Sequence, residues 1–203
     1  MSAISVFIDG FNVYHALDSD KQFRKYKWLN YAELAKCYVG GRDNLFKVTL
    51  FTAFTTWDNS KVARHRDYVQ ALKSAGVEIV MGKFKMKDKW CRNCKSYFRT
   101  PEEKLTDVNI AIELFAGAQA EEYDKAILIT GDTDIIPAVN AVRRVYPKKQ
   151  IGVVIPIGRK SEDLKHTCDF HFRMKEAQLA RCQFPDEIQL PSGQKLTRPD
   201  TWR

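Results

Sequence analysis

Five stretches of the chain read as near-continuous apolar runs: Ala3–Ile8, Leu45–Phe54, Val77–Met81, Ala126–Thr130 and Ile151–Ile155. Short runs of this kind, rich in β-branched and aromatic residues, predict buried strands. Between them the apolar positions fall three and four residues apart, the period of a helix with one buried face. A short helix is predicted from Asn12 to Leu17 and a second from Asn30 to Tyr38, stopped by Gly40-Gly41. Asn59 caps a long amphipathic helix that turns Val62, Tyr68, Val69 and Leu72 inward and stops at Gly76. Thr100-Pro101-Glu102-Glu103 has the form of a helix start: a Thr cap, Pro at the first position and Glu three residues after the cap. It predicts a helix running to Ala118. Helices over Ile135–Val145 and Glu162–Thr167, a short strand at Phe170–Phe172 and a Pro-punctuated basic tail over 176–203 complete the pattern.

Strands that alternate with helices, and that lack a polar face, predict a parallel sheet covered on both sides. In such sheets ligands collect at the carboxyl ends of strands, near the point where strand order reverses. Two loops there are acidic: Asp9-Gly10-Phe11-Asn12 after the first strand and Thr130-Gly131-Asp132-Thr133-Asp134 after the fourth. Yet the chain as a whole is basic, with 33 Lys and Arg against 25 Asp and Glu, a net +8 over 203 residues. That excess favours a polyanionic partner, most simply nucleic acid. An acidic crevice in a basic chain is the main anomaly of the sequence.

Other classes fall away on composition. A hydrophobic content of 44% argues against global disorder, and no run approaches the roughly 20 apolar residues of a membrane helix. The amino end carries no leader pattern. Five cysteines, of which only Cys91 and Cys94 are close, argue against a disulfide framework and for a reduced, cytoplasmic chain.

Asp9, Asp132 and Asp134 lie at strand ends that the sheet would bring together, and on the predicted helix Glu103 and Asp107 are spaced to share a face. Clustered like charges destabilise one another unless protons or cations neutralise them. Mg²⁺ answers this need with oxygen ligands, one or two carboxylates plus waters and phosphate oxygens. An Asp after a strand is also a common cap or turn residue. Four of them, flanked by Asn12 and Thr130, make that bland reading hard to sustain.

Three blocks carry a family resemblance: Phe7-Ile8-Asp9-Gly10-Phe11-Asn12, then Glu103-Lys104-Leu105-Thr106-Asp107-Val108, then Thr130-Gly131-Asp132-Thr133-Asp134-Ile135-Ile136-Pro137. In kind and order they resemble the signature blocks of NYN domains, which are PIN-like nucleases, and most of all the LabA-like (DUF88) branch. The resemblance covers residues 3 to 172. It implies a PIN-like three-layer α/β/α sandwich, with a central, mostly parallel sheet of about five strands. It further implies a nuclease domain over 1–175 acting on single-stranded or structured RNA as a metal-dependent RNA endonuclease-type hydrolase. Its Mg²⁺ or Mn²⁺ site would be Asp9, Asp107, Asp132 and Asp134, with Asn12, Thr130 and Glu103 as supporting polar residues. Leu105 departs from the small residue the pattern favours before Asp107. A non-catalytic RNA-binding or regulatory module on the same fold is the alternative, because fold alone does not decide activity. A haloacid-dehalogenase-type phosphatase needs an Asp where Phe11 stands, and a Toprim domain needs Glu in place of Asp9.

Lys83, Lys85, Lys87 and Lys89 alternate with Phe84, Met86 and Trp90, and Arg92 follows. If extended, this segment sets four ammonium groups on one face and apolar groups on the other. Residues 83–99 therefore read as a basic insertion, a hairpin that contacts a phosphate backbone or else a Lys-protected sheet edge. Cys91 and Cys94 have the spacing of half a zinc knuckle. Structural Zn²⁺ then requires two more ligands from Cys37, Cys168, Cys182, His65 or a second subunit, which leaves a homodimer open. Thioredoxin-like chemistry is disfavoured because Lys95 to Pro101 does not open a long helix. His15, His65, His166 and His171 form no motif. The chain has no Gly-rich phosphate loop and no nucleophile elbow, so triphosphatase and serine hydrolase classes lack support.

Overall fold

A computed structural model describes residues 1–203. In chain order the strands are β1 (Ala3–Asp9), β2 (Asn44–Thr52), β3 (Glu78–Met81), β4 (Lys83–Cys91), β5 (Ser96–Lys104), β6 (Lys125–Ile129), β7 (Gln150–Ile155), β8 (Phe170–Arg173), β9 (Glu187–Gln189) and β10 (Lys195–Thr197). The helices are α1 (Gly10–Ser19), α2 (Tyr31–Lys36), α3 (Asn59–Ser74), α4 (Thr106–Gln119), α5 (Ile136–Val145), α6 (Glu162–Thr167) and α7 (Glu176–Arg181). Short 3₁₀ turns cover Lys21–Tyr26, Thr133–Ile135 and Asp200–Trp202.

Six strands form one parallel sheet in the order β3-β2-β1-β6-β7-β8, the sixth being the short strand expected at Phe170–Phe172. The chain builds outward from β1 to β3, returns beside β1 as β6, and builds outward the other way. The β1–β6 boundary is thus where strand order reverses. Side-chain alternation explains the apolar runs: Ile4, Val6 and Ile8 enter one core with α2 and α3, while Phe7 enters the other with α4 and α5. Both faces are covered, so neither alternates to polar.

Two expectations need correction. The sequence around Thr100 does not open a helix. It lies in β5, which pairs antiparallel with β4 from Lys83–Lys104 to Cys91–Ser96. Pro101 is tolerated because a two-stranded ribbon is all edge, and the Lys87–Glu102 and Arg99–Asp88 ion pairs, each at 3.3 Å, link the strands. α4 begins only at Thr106, after Leu105 turns the chain with a φ of 82°. Second, the segment 176–203 is not a basic tail: its four Lys and Arg are balanced by four Asp and Glu, and it packs on the domain. Leu179, Phe184 and Leu196 are buried in the first core, and the Trp28 indole donates to the Pro185 carbonyl at 2.9 Å while its ring lies 6.1 Å from that of Trp202. No helix is long and apolar enough to cross a membrane.

Candidate active site

The reversal of strand order opens a crevice at the ends of β1 and β6. Ile8 is registered against Ile129, so Asp9 and Thr130 emerge side by side. α1 starts at once after β1, and Gly10 permits this: a Cβ there would meet the Phe51 carbonyl oxygen at 2.7 Å. Asp9 caps α1, its Oδ1 accepting from the Asn12 amide at 2.9 Å and its Oδ2 from the Thr130 hydroxyl at 3.0 Å. The Asn12 side-chain oxygen accepts from the Gly131 amide at 2.9 Å, and the Thr130 hydroxyl oxygen accepts from the Asp132 amide at 3.0 Å. Asp132 in turn caps the Thr133–Ile135 turn by accepting from the Asp134 amide. Both acidic loops are therefore tied into one network. The capping role that could have explained the Asp residues away is real, and it is also what aims them.

Asp107, Asp132 and Asp134 each offer an oxygen within 4.8 Å of the others. Asp107 stands in the first turn of α4. Its carboxyl is raised above its ordinary value by burial, with Asp132 and Asp134 adding to the effect. Asp9 lies behind this trio and is only 5% exposed. Burial lifts its carboxyl from 3.8 to about 6 against the lowering by Asn12 and Thr130, and Asp107 and Glu103 push it further up. Glu103 accepts from the Thr106 hydroxyl and is raised by burial and then by Asp107. It lies at the end of β5, not one helical turn before Asp107, yet both reach the same cleft. None of these five carboxylates has a Lys or Arg partner within 4.0 Å. A set of oxygen donors that repel one another and lack an ion pair fits a hard divalent cation.

The cleft above them encloses about 880 Å³. Phe11, Trp57 and Phe84 form one wall, with Phe84 edge-on to Phe11 at 5.3 Å and to Trp57 at 5.0 Å. Arg64, Arg159 and Lys160 line it without an acidic partner. Sequence reasoning missed these cations. Arg159 and Lys160 follow β7, where the strand-end rule applies as well as it does to β1 and β6. Arg64 lies one helical turn from Lys61, on a helix whose sequence pattern marks only its inward face. His65 is half-buried against Phe54, and its Nε2 is 3.1 Å from the Thr52 hydroxyl. Desolvation depresses it from 6.5 to about 4.

The basic arm is a hairpin, and its lysines turn away from the cleft. Opposed residues of an antiparallel ribbon share a face. Phe84–Glu103, Met86–Pro101, Asp88–Arg99 and Trp90–Tyr97 make one face, while Lys83, Lys85, Lys87 and Lys89 lie with Lys104 and Glu102 on the other. Phe84, Pro101 and Glu103 line the cleft, and none of these lysines does. Lys87 is moreover held by Glu102. Arg92 sits in the turn.

The knuckle is not completed within the chain. Cys94 Sγ lies 2.9 Å from the Ser96 hydroxyl, and hydrogen bonds from Ser96 and then Cys91 draw its thiol below the ordinary value. No third His, Cys, Asp or Glu joins Cys91 and Cys94. Cys37 and Cys182 are instead 3.5 Å from each other, and Cys168 is buried in the second core.

Comparison with known proteins agrees with this architecture. The family model of the NYN domain matches residues 3–175. A curated relative from Pseudomonas putida, 6-hydroxy-3-succinoylpyridine 3-monooxygenase HspA, is 26% identical, the alignment covering 97% of this chain and 74% of that protein. A solved structure of a protein of unknown function from Vibrio parahaemolyticus superposes with a TM-score of 0.61 at 17% identity, covering 86% of this chain and 94% of the other.

Proposed function

The chain belongs to the NYN domain family, and from that premise we propose that it is a divalent-metal-dependent RNA hydrolase. The observation that carries the reading is the group of Asp107, Asp132 and Asp134, whose facing oxygens lie within 4.8 Å with no cationic side chain to neutralise them. These three would hold Mg²⁺ or Mn²⁺. When bound, such an ion supplies Lewis-acid polarisation of a phosphate and a water acidified toward hydroxide. The chain's own groups do the rest. Asp9 fixes both loops through Asn12 and Thr130. Arg159 and Lys160 bind phosphate oxygens of the strand in the cleft. Phe11, Trp57 and Phe84 offer apolar faces to its bases. The hairpin lysines act at longer range, on phosphates outside the cleft.

A second reading comes from the Pseudomonas putida relative, whose name specifies oxygenation of a pyridine acid. The aromatic wall and unpaired cations of the cleft also suit a flat heterocycle bearing a carboxylate. Oxygen insertion needs dioxygen and a two-electron donor, which separates the readings. Incubation of labelled single-stranded RNA with protein and Mn²⁺ should shorten the RNA, and EDTA should stop this. If the RNA stays intact while 6-hydroxy-3-succinoylpyridine is consumed with dioxygen and a reduced nicotinamide, the second reading replaces the first.

A further inference from the structure

The hairpin face that lines the cleft does not end there. Phe84 and Glu103 are inside, Pro101 with them, and the same face runs on through Met86 and the Asp88–Arg99 pair to Trp90 and Tyr97 near the turn. From residue 84 to residue 90 an extended strand covers roughly 20 Å. The far end is open: Trp90 is 50% and Tyr97 73% exposed, and their rings meet edge-on at 4.9 Å. A monomeric protein has little reason to present two large aromatic rings to water on a ribbon tip. The opposite face carries Lys83, Lys85, Lys87 and Lys89, with a single aromatic, Phe98, across from Lys89. The face that carries the paired Trp90 and Tyr97 rings is the one continuous with the candidate active site.

We propose that this face is a second binding subsite, on which unpaired bases of the strand held in the cleft stack against Trp90 and Tyr97. The proposal rests on the RNA reading and adds a substrate preference to it. A base has a π-face whatever its identity, so the contact is tolerant of sequence, but it demands a base freed from a helix. Arg99, halfway along and paired to Asp88, offers a guanidinium plane on the same track. A strand that is single-stranded from the cleft to the tip gains the subsite. A shorter strand, or one that re-enters a duplex, does not.

The test is binding in EDTA, where no cleavage intervenes, with fluorescein-labelled oligouridylates of about 4 and about 12 nucleotides, within the usual span of single-strand sites. Wild-type protein should bind the longer RNA more tightly. Trp90→Ala with Tyr97→Ala should weaken affinity for the long RNA about tenfold, the order expected when base stacking is removed. The short RNA should be unaffected, and Trp90→Phe should keep most of the affinity. Wild-type protein that gains nothing from length overturns the proposal, as does equal weakening on both lengths. A double variant that binds normally but changes oligomeric state also overturns it, by making the face an interface between copies. Failure to cleave RNA, with the length effect intact, would remove the hydrolase reading and leave this subsite standing.

Discussion

The crevice between β1 and β6 and the hairpin of β4 and β5 lie side by side, yet they are held in opposite ways. In the crevice the side chains of Asp9, Asn12, Thr130 and Asp132 each accept a hydrogen bond from a backbone amide, and Asp9 and Thr130 are both nearly inaccessible. Such a scaffold holds charges that repel one another, which is what a catalytic centre requires. The hairpin has no core of its own. It is held by its own ladder, by surface ion pairs worth little each, and at its base by Phe84 against Phe11 and Trp57. A rigid centre suits chemistry, and a ribbon anchored at one end suits capture of a strand. Changes in the crevice should therefore alter turnover, and changes on the hairpin should alter affinity.

The largest expected effect is on turnover. Asp107→Asn should cut RNA hydrolysis by at least about a thousandfold, while circular dichroism and the melting curve stay near wild type. If instead its KM rises and kcat is kept, Asp107 is a substrate contact and the contrast with the hairpin fails.

Next come stability changes with pH, measured by urea unfolding in EDTA. Asp9 is raised from 3.8 to about 6, so the folded state binds more protons than the unfolded state across that window. Its contribution therefore falls as pH rises through 3.8 to 6, by roughly 3 kcal/mol in all. Asp9→Asn should be more stable than wild type at pH 7 by about 1–3 kcal/mol, less whatever is forfeited where the amide opposes Thr130, and the advantage should vanish near pH 4. His65 has the opposite sign. Depressed from 6.5 to about 4, it keeps its full contribution above 6.5 and loses it as pH falls toward 4. His65→Gln should flatten the acid limb that remains in Asp9→Asn. An acid limb as steep in the double variant as in Asp9→Asn would refute the His65 assignment, and an Asp9→Asn protein no more stable than wild type at pH 7 would refute that of Asp9.

The smallest effects concern salt. Removing one phosphate-binding cation should lower the slope of log affinity against log salt by roughly 0.7 for a single strand. Arg159→Ala with Lys160→Ala should lower it by close to twice that amount. Lys85→Ala, Lys87→Ala and Lys89→Ala together should lower it by less than the Arg159 and Lys160 changes do, because these lysines stand outside the cleft and Glu102 already neutralises part of Lys87. A larger change from the triple variant would place the strand on the lysine face and not in the cleft.

Much of the crevice was legible in the sequence, because its signals are local. β1, β6 and β7 are buried on both faces, so their apolar runs admit few other interpretations, and the acidic loops follow them directly. The hairpin was less so, because Thr100-Pro101-Glu102-Glu103 satisfies every local rule for a helix start, and only pairing with Phe84 to Lys87 makes it a strand. Which face the lysines take is likewise decided by where the ribbon's base docks. Arg159 and Lys160 enter the cleft because strand order sets β7 beside β6, a fact of topology. The packing of Leu179, Phe184 and Trp202 against the first core depends on Trp28, far away in the chain.

The central claim is that the carboxylate trio makes this chain a metal-dependent RNA hydrolase, and one assay meets it most directly. Labelled single-stranded RNA is incubated with wild type and with Asp132→Asn, each purified free of contaminating nuclease, with Mn²⁺ or with EDTA. Cleavage by wild type in Mn²⁺ alone, and none by the variant under either condition, is the predicted result. Equal cleavage by both proteins, or cleavage by wild type that survives EDTA, would contradict it.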